Sequence, residues 1–295
     1  MMRVTATLNG PALTFNATVR GLPIYLDHDS LSDIATGDSR RRERFIAVLH
    51  GGGDLLFSVT TAVELGDRQG RSVEMIREFL DEVGPCWVPV ELDTHAVAKR
   101  ELQTGSTPDA CISRQFGKDY FNFRLRQCEP DKLFVCDQNV FRLGAIFDWM
   151  LPQRDSLRQG KRDLDAALIT KITNYRKQFE GDPAAFDEKL PAAPFKTGYA
   201  TTFTLTQLTR SLVLDAKAHR LKKGDGVDFC HAVIAASFAR AATLDKAWKR
   251  RIAALPKPND LAKIYYRPEL DRLVDDLEQA VKTLQARDAA AMSTH

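Results

Sequence analysis

Short apolar runs that end at an acidic residue constrain the fold of this chain more than any other feature. Residues 23–26 form such a run and stop at Asp27, and residues 241–244 stop in the same way at Asp245. Runs of this length are typical of strands that are buried in a parallel sheet. Because helical patterns lie between the runs, the sequence predicts an α/β fold with a mainly parallel sheet.

Extended and helical patterns alternate on both sides of a long central stretch. Strands are predicted at residues 23–26, 55–59, 86–92 and 241–244, and helices at residues 40–50, 62–66, 73–83, 205–221, 227–239 and 246–254. The alternation is absent between residues 95 and 204, where residues 161–179 instead carry apolar side chains at helical spacing. We therefore interpret the central stretch as a mainly helical insertion.

This pattern divides the chain into four parts. They are an N-terminal β-hairpin extension at residues 1–20, a split α/β domain at 21–94 and 205–255, the insertion at 95–204, and a C-terminal helical tail at 256–295. Amphipathic helices in the insertion and the tail either pack internally or form a homodimer. The sequence leaves both arrangements open.

Composition restricts the class of protein. With 44% hydrophobic and 27% charged residues the chain matches ordinary globular proteins, which excludes a disordered or collagen-like chain. The net charge of +3 permits binding to nucleic acid without requiring it. We expect a cytoplasmic protein that has no membrane segment, since the sequence has neither a secretory signal pattern nor an apolar run long enough to span a bilayer. None of the five cysteines forms a C-x-x-C pair, which favours reduced thiols over a zinc site.

Four acidic residues occupy comparable places beside the predicted strands. Asp27 and Asp245 end strands, Glu64 follows a strand, and Asp228 begins a helix. The carboxyl ends of parallel strands share one edge of the sheet, where ligands bind. Carboxylates gathered there repel one another, and Mg²⁺ or Mn²⁺ bound by their oxygens would relieve the repulsion. Acidic residues at strand ends also cap helices or face water, and spacing alone does not choose between these roles.

Three blocks of sequence carry a resemblance to a known family. They read IYLDHDSLSDIA from residue 24, FSVTTAVELGD from residue 57 and VDFCHAVIAASFARAATLDKAW from residue 227. In this order they resemble the successive acidic blocks of PIN-domain nucleases. The resemblance covers about residues 22–92 and 205–252, so it does not account for the hairpin or the insertion.

The resemblance implies both a fold and an activity. The fold would be a three-layer αβα sandwich, PIN-like, around a parallel sheet. Asp27, Glu64, Asp228 and Asp245 would bind Mg²⁺ or Mn²⁺ and act as the catalytic residues in hydrolysing RNA or, less often, DNA. The function expected on this basis is that of a metal-dependent endoribonuclease.

Two further residues are auxiliary candidates near the acids. Asp29 aids the site or caps the turn that follows Asp27. His231 lies three residues after Asp228, and therefore on the same helical face. It would contact a substrate phosphate, hold Asp228 in place, or serve only in packing.

Basic clusters near the acids predict a nucleic-acid-binding surface. Cations beside a cleavage site neutralise neighbouring phosphates, and the candidates are Arg41, Arg42, Lys222, Lys223, Lys249 and Arg250. Such clusters are also common on solvated helix faces. Residues 115–127 interleave aromatic and cationic side chains, which suits either stacking on unpaired bases or a half-buried amphipathic segment.

Two other functions remain open. Asp27 and Asp29 form a D-x-D pair that resembles the motif of haloacid dehalogenase-like phosphatases, with Asp27 as nucleophile and Asp29 as general acid. That interpretation leaves Glu64 without a role. The third alternative is a non-catalytic PIN-like scaffold that binds nucleic acid or protein.

Overall fold

A computed structural model describes residues 4–9, 12–67, 70–104, 108–126, 142–192, 194–216, 220–257 and 259–292. The strands are β1 (Val4–Asn9), β2 (Ala12–Ala17), β3 (Leu22–Tyr25), β4 (Gly53–Ser58), β5 (Trp87–Val90), β6 (Ala241–Thr243) and β7 (Lys263–Tyr265). The α-helices of the first half are α1 (His28–Thr36), α2 (Ser39–His50), α3 (Val59–Gly66), α4 (Arg71–Val83), α5 (Thr94–Thr104), α6 (Arg114–Arg126) and α7 (Ile146–Met150). Those of the second half are α8 (Arg154–Gln178), α9 (Pro183–Lys189), α10 (Ala200–Leu214), α11 (Asp225–Phe238), α12 (Lys246–Ala253) and α13 (Leu270–Met292).

Five strands form one sheet in the order β5-β4-β3-β6-β7, and all neighbouring pairs are parallel. The central strand β3 pairs Ile24 with Leu55 on one side and with Ala241 on the other. β1 and β2 form a separate antiparallel ribbon. The predicted α/β class with a parallel sheet is therefore confirmed.

The sheet lies between two apolar clusters because successive side chains of a strand point to opposite faces. Ile24 and Leu55 belong to one cluster, with α1, α2, α4 and α13, whereas Tyr25 and Leu56 belong to the other, with α10, α11 and α12. Both clusters are closed to solvent around the central strands. The chain is thus a helix–sheet–helix arrangement of three layers.

The helices of the predicted insertion contribute to both layers. In α6 the rings of Phe116, Tyr120 and Phe121 are buried against Trp87 of β5. α8 and α10 pack against α11 on the opposite face of the sheet. The buried rings of α6 are unavailable for stacking on bases, so this segment is the half-buried amphipathic one of the two alternatives.

Outside the insertion, the sequence prediction misses α1 and β7. α1 begins directly after Asp27. Its sequence, HDSLSDIAT, is mostly polar, so it lacks the apolar periodicity by which a helix is predicted. β7 has only three residues, which is too short to produce a recognisable alternation. Both elements owe their conformation to packing against the sheet and its neighbours.

The C-terminal tail packs internally over its apolar face. Leu273, Leu277 and Val281 of α13 are buried in the same cluster as α2. Within the described parts of the chain, no helix combines the length and the apolar character that crossing a membrane requires. Cys86, Cys111 and Cys230 are buried and form no disulfide within the described residues, whereas Cys128 and Cys136 lie outside that part of the chain.

Candidate active site

The candidate site lies where the strand order reverses. β3 is followed in the sheet by β4 and β5 on one side, and by β6 and β7 on the other. The carboxyl ends of β3 and β6 therefore flank the switch point at which open α/β sheets bind ligands. Asp27 follows β3 by two residues, and Asp245 follows β6 by two residues.

A threonine at the end of β6 ties the two strand ends together. The backbone N–H of Asp27 donates to the Thr243 hydroxyl at 2.9 Å, and that hydroxyl donates to Oδ1 of Asp27 at 3.2 Å. Thr243 is fully buried. The Asp27 carboxylate is thereby held in one orientation at the edge of the sheet.

Asp27 and Asp245 have equivalent roles as helix caps. Oδ1 of Asp27 accepts from the backbone N–H of Ser30 at 2.9 Å, and Oδ1 of Asp245 accepts from that of Trp248 at 2.8 Å. Capping thus explains part of the strand-end pattern, as the sequence left open. In each residue Oδ2 has no hydrogen bond to another described residue, so one oxygen remains for a ligand.

Glu64 is a buried carboxylate surrounded by bases. Its side chain is 8% exposed, with Oε2 lying 3.2 Å from Nδ1 of His28 and Oε1 lying 2.8 Å from Nζ of Lys161. Burial would raise the pKa of Glu64, but the hydrogen bond with His28 and the charge of Lys161 outweigh it and lower the pKa to about 2. Glu64 is therefore ionised at neutral pH.

Asp228 is in the opposite electrostatic situation. Its carboxylate has neither a hydrogen bond nor an ion pair with any other described side chain. Burial, together with the negative charges of Asp245 and Glu64, raises the pKa of Asp228 to about 7. This coupling places Asp228, Asp245 and Glu64 in one electrostatic cluster, and Asp27 joins it through its effect on His28.

A histidine and a tyrosine lie beneath this cluster. The Tyr25 hydroxyl and Nδ1 of His231 share a buried hydrogen bond, and Nε2 of His231 faces Oε2 of Glu64 at 3.7 Å. Burial raises the pKa of Tyr25 and lowers the pKa of His231, so the phenol keeps its proton and the imidazole is neutral. With Tyr25 donating to Nδ1, the proton of His231 lies on Nε2 and points towards Glu64.

His231 therefore contacts the site through Glu64 rather than by holding Asp228. Its Nε2 is buried and makes no hydrogen bond within the described structure. Asp29, the other auxiliary candidate, has a half-exposed side chain 3.5 Å from Nε2 of His28. Asp29 does not cap α1, because Asp27 fills that position.

Half of the predicted nucleic-acid-binding residues are held in ion pairs within the chain. Arg41 pairs with Asp271 at 2.7 Å, Arg42 pairs with Glu82 at 2.8 Å, and Lys249 pairs with Glu269. Lys222, Lys223 and Arg250 are exposed and form no ion pair with another described residue. These three side chains therefore hold neighbouring segments of the chain together, and their charges are already paired.

Sequence reasoning missed two contributors to the site. Lys161 comes from α8, in the middle of the predicted insertion, and its charge pattern looks like a solvated helix face. His28 lies between the two acids of the first block, and its role follows only from the 3.2 Å contact with Glu64. The contact between α3 and α8 was therefore needed to find Lys161.

The donor chemistry of the cluster fits a hard divalent cation. Carboxylate oxygens are the ligands that Mg²⁺ and Mn²⁺ prefer, and the four acids supply them from four different segments. As the described side chains stand, however, no three His, Cys, Asp or Glu residues are grouped closely enough to hold a metal ion. Lys161 instead supplies the positive charge beside Glu64.

Fold and site together define an α/β protein with an acidic cluster at the switch point of an open parallel sheet. Comparisons with protein-family models, curated proteins and solved structures returned no match. The argument for function therefore rests on the geometry of the site.

Proposed function

We propose that this protein is a PIN-like, Mg²⁺- or Mn²⁺-dependent nuclease that cleaves phosphodiester bonds, in RNA rather than DNA. The observation that carries the proposal is the arrangement of four carboxylates beside the switch point of the sheet, where Asp245 and Glu64 act electrostatically on Asp228. Burial, reinforced by repulsion from Asp245 and Glu64, favours the protonated form of Asp228 and raises its pKa to about 7. A site that repels its own carboxylates in this way is suited to a bound cation.

Asp27, Glu64, Asp228 and Asp245 would hold the cation. When bound, it would polarise the phosphodiester and lower the pKa of a water molecule. His28 and His231 would orient Glu64. Nδ1 of His28 lies 3.2 Å from Oε2 of Glu64, and Nε2 of His231 lies 3.7 Å from the same oxygen. The Tyr25 hydroxyl would fix the tautomer of His231.

The test is cleavage of single-stranded RNA and DNA with Mn²⁺ by Asp27→Asn and Asp228→Asn variants. Asp38→Asn is a matched control, because Asp38 caps α2 through the N–H of Arg40 much as Asp27 caps α1. Asn caps helices nearly as well as Asp, so Asp27→Asn and Asp38→Asn preserve their caps. Asp228 is not a cap, and its carboxylate makes no hydrogen bond with another described residue that Asn would lose. Cleavage retained by both site variants would refute the assignment.

A non-catalytic scaffold that binds nucleic acid is the second candidate, and one contact favours it. The Lys161 ammonium lies 2.8 Å from Glu64, where it neutralises a carboxylate that a cation would otherwise use. Titration calorimetry with Mn²⁺ separates the two candidates. The nuclease requires binding that is lost in Asp228→Asn, whereas the scaffold requires none.

The phosphatase alternative has less support from the geometry. Asp29, its general acid, is half exposed and lies beside His28, whereas Glu64 is buried next to the Asp228 cluster and would be left without a role. Trapping a phosphoryl group on Asp27 would reverse this ranking.

A further inference from the structure

A cleft opens beside the acidic cluster, between α8 and the N-terminal end of α11. It has a volume of about 460 Å³, which is within the range of small-molecule sites. Val63 and Val227 form its apolar lining. Each of these valines directly precedes one of the site acids, Glu64 or Asp228, so the cleft and the acidic cluster are adjacent.

Four cationic side chains line the cleft: Arg158, Lys161, Arg162 and Lys223. Only two carboxylates, Asp67 and Asp165, lie among the lining residues. The excess of positive charge comes mainly from α8, where residues 158, 161 and 162 fall on one side of the helix. The insertion therefore brings a basic surface to the edge of an acidic site.

The two carboxylates of the cleft are already engaged. Asp67 forms an ion pair with Arg158. Asp165 is buried and accepts from the backbone N–H groups of Gly224 and Gly226, each at 2.9 Å. The N-terminal end of α11 is therefore capped from α8 and is not itself open to an anion.

Arg162 and Lys223 are the cations that this arrangement leaves for a ligand. Arg158 is bound to Asp67, and Lys161 is bound to Glu64. The guanidinium of Arg162 donates to the neutral side-chain oxygen of Gln159, and neither Arg162 nor Lys223 pairs with a carboxylate of the described chain. Both side chains are exposed at the mouth of the cleft.

We propose that this cleft binds a phosphate group of a nucleic-acid strand, next to the phosphodiester that the acidic cluster would cleave. The assignment rests on the proposed nuclease function. It adds the direction in which the strand leaves the site, along α8 towards Arg162 and Lys223. The phosphate is either an internal diester or a 5′-terminal monoester, since both present oxygens to guanidinium and ammonium groups.

The test is binding of a fluorescein-labelled single-stranded RNA 12-mer in EDTA, measured by anisotropy on the full chain. The variants are Arg162→Glu, Lys223→Glu and the double substitution. Lys177→Glu is the matched control, because it makes the same charge change on the same helix about 22 Å from Arg162. Without a metal no strand is cleaved, so binding and cleavage are assessed separately.

The double variant is expected to weaken binding about tenfold or more, and Lys177→Glu less than about twofold. Losing two phosphate contacts should also reduce the slope of log K against log salt by about 1.4. The conservative pair Arg162→Lys and Lys223→Arg should keep wild-type binding, and thermal melts of all variants should coincide because both side chains are exposed.

Binding of oligonucleotides with and without a 5′-phosphate shows whether the cleft takes an internal diester or a 5′-terminal monoester. If the variants lose affinity only for the 5′-phosphorylated strand, the cleft takes a terminal monoester, and if they lose it for both strands, it takes an internal diester. Double-variant binding equal to that of Lys177→Glu overturns the proposal. Absence of cleavage with intact cleft-dependent binding would refute the nuclease function and leave the cleft assignment standing.

Discussion

Replacing Asp228 by Asn should stabilise the metal-free protein at alkaline pH. The carboxyl pKa of Asp228 is raised to about 7 in the folded chain from an ordinary value of 3.8. A folded-state pKa above the unfolded one means that the folded chain binds the extra proton. The stability that this proton contributes is fully present below pH 3.8 and is lost as the pH rises through about 7. The Asp228→Asn variant escapes this loss, since the amide stays neutral at every pH.

The magnitude follows from the size of the pKa difference. A displacement of about 3 pH units corresponds to about 4 kcal/mol at about 1.4 kcal/mol per unit. Asp228 is half-buried, and solvent screening of its partly exposed carboxyl reduces this figure to about 2 kcal/mol. The variant should therefore exceed the wild type in free energy of unfolding by about 2 kcal/mol at about pH 8, and match it at about pH 4.

Urea denaturation in EDTA, followed by circular dichroism at acid and alkaline pH, measures both values. Asp38→Asn on α2 is the control, and its stability should stay at the wild-type level at both pH values because it lies outside the acidic cluster. With Mn²⁺ present the order should invert, since only the wild type gains stability from binding a metal. Destabilisation by Asp228→Asn at alkaline pH, or an equal gain at both pH values, would contradict the electrostatic account of the site.

Three other substitutions or reactions test different parts of the structure. Lys161→Met should tighten Mn²⁺ binding about five- to tenfold, because the ammonium 2.8 Å from Glu64 no longer competes with the metal for that carboxylate. An Mn²⁺ affinity that is unchanged in titration calorimetry would contradict this competition. Glu101→Ala should lower the free energy of unfolding by about 2–3 kcal/mol, since this buried carboxylate accepts from the N–H groups of Thr201 and Thr202 at the start of α10. A loss below about 0.5 kcal/mol in urea titrations would contradict this role of Glu101. Burial raises the pKa values of Cys111 and Cys230 to about 12, so iodoacetamide at about pH 8 should modify them only in urea. Peptide mapping measures the labelling, and a label on either cysteine in the native protein would refute the assignment of these thiols as buried.

The local parts of the site follow directly from the sequence. An apolar run that stops at Asp27 makes a buried strand, and the aspartate then caps the next helix through the N–H of Ser30. The same local logic applies at Asp245 and the N–H of Trp248. These interactions join residues three apart in the chain, so the pattern of residue types is sufficient to predict them.

The long-range parts of the site could not be predicted in this way. Lys161 is one of several cations on a long helix, and nothing local distinguishes it from its solvated neighbours. The ion pairs of Arg41 and Arg42 with residues of α13 and α4 likewise depend on which helices become neighbours. For this reason the sequence favoured Arg41 and Arg42 as ligand-binding residues. Of the two cations that the proposed cleft uses, the sequence suggested Lys223 but not Arg162.

The sequence by itself determined the α/β class, the strands that precede Asp27 and Asp245, and the positions of these two acids at strand ends. These properties depend on side-chain period and on contacts between residues close in the chain. Only the tertiary structure decided the order of the five strands, the approach of α8 to α3 and the pKa of Asp228. Packing of distant segments sets the burial and the charge neighbours of each group, and no periodicity in the chain encodes which distant charge will lie beside which carboxylate.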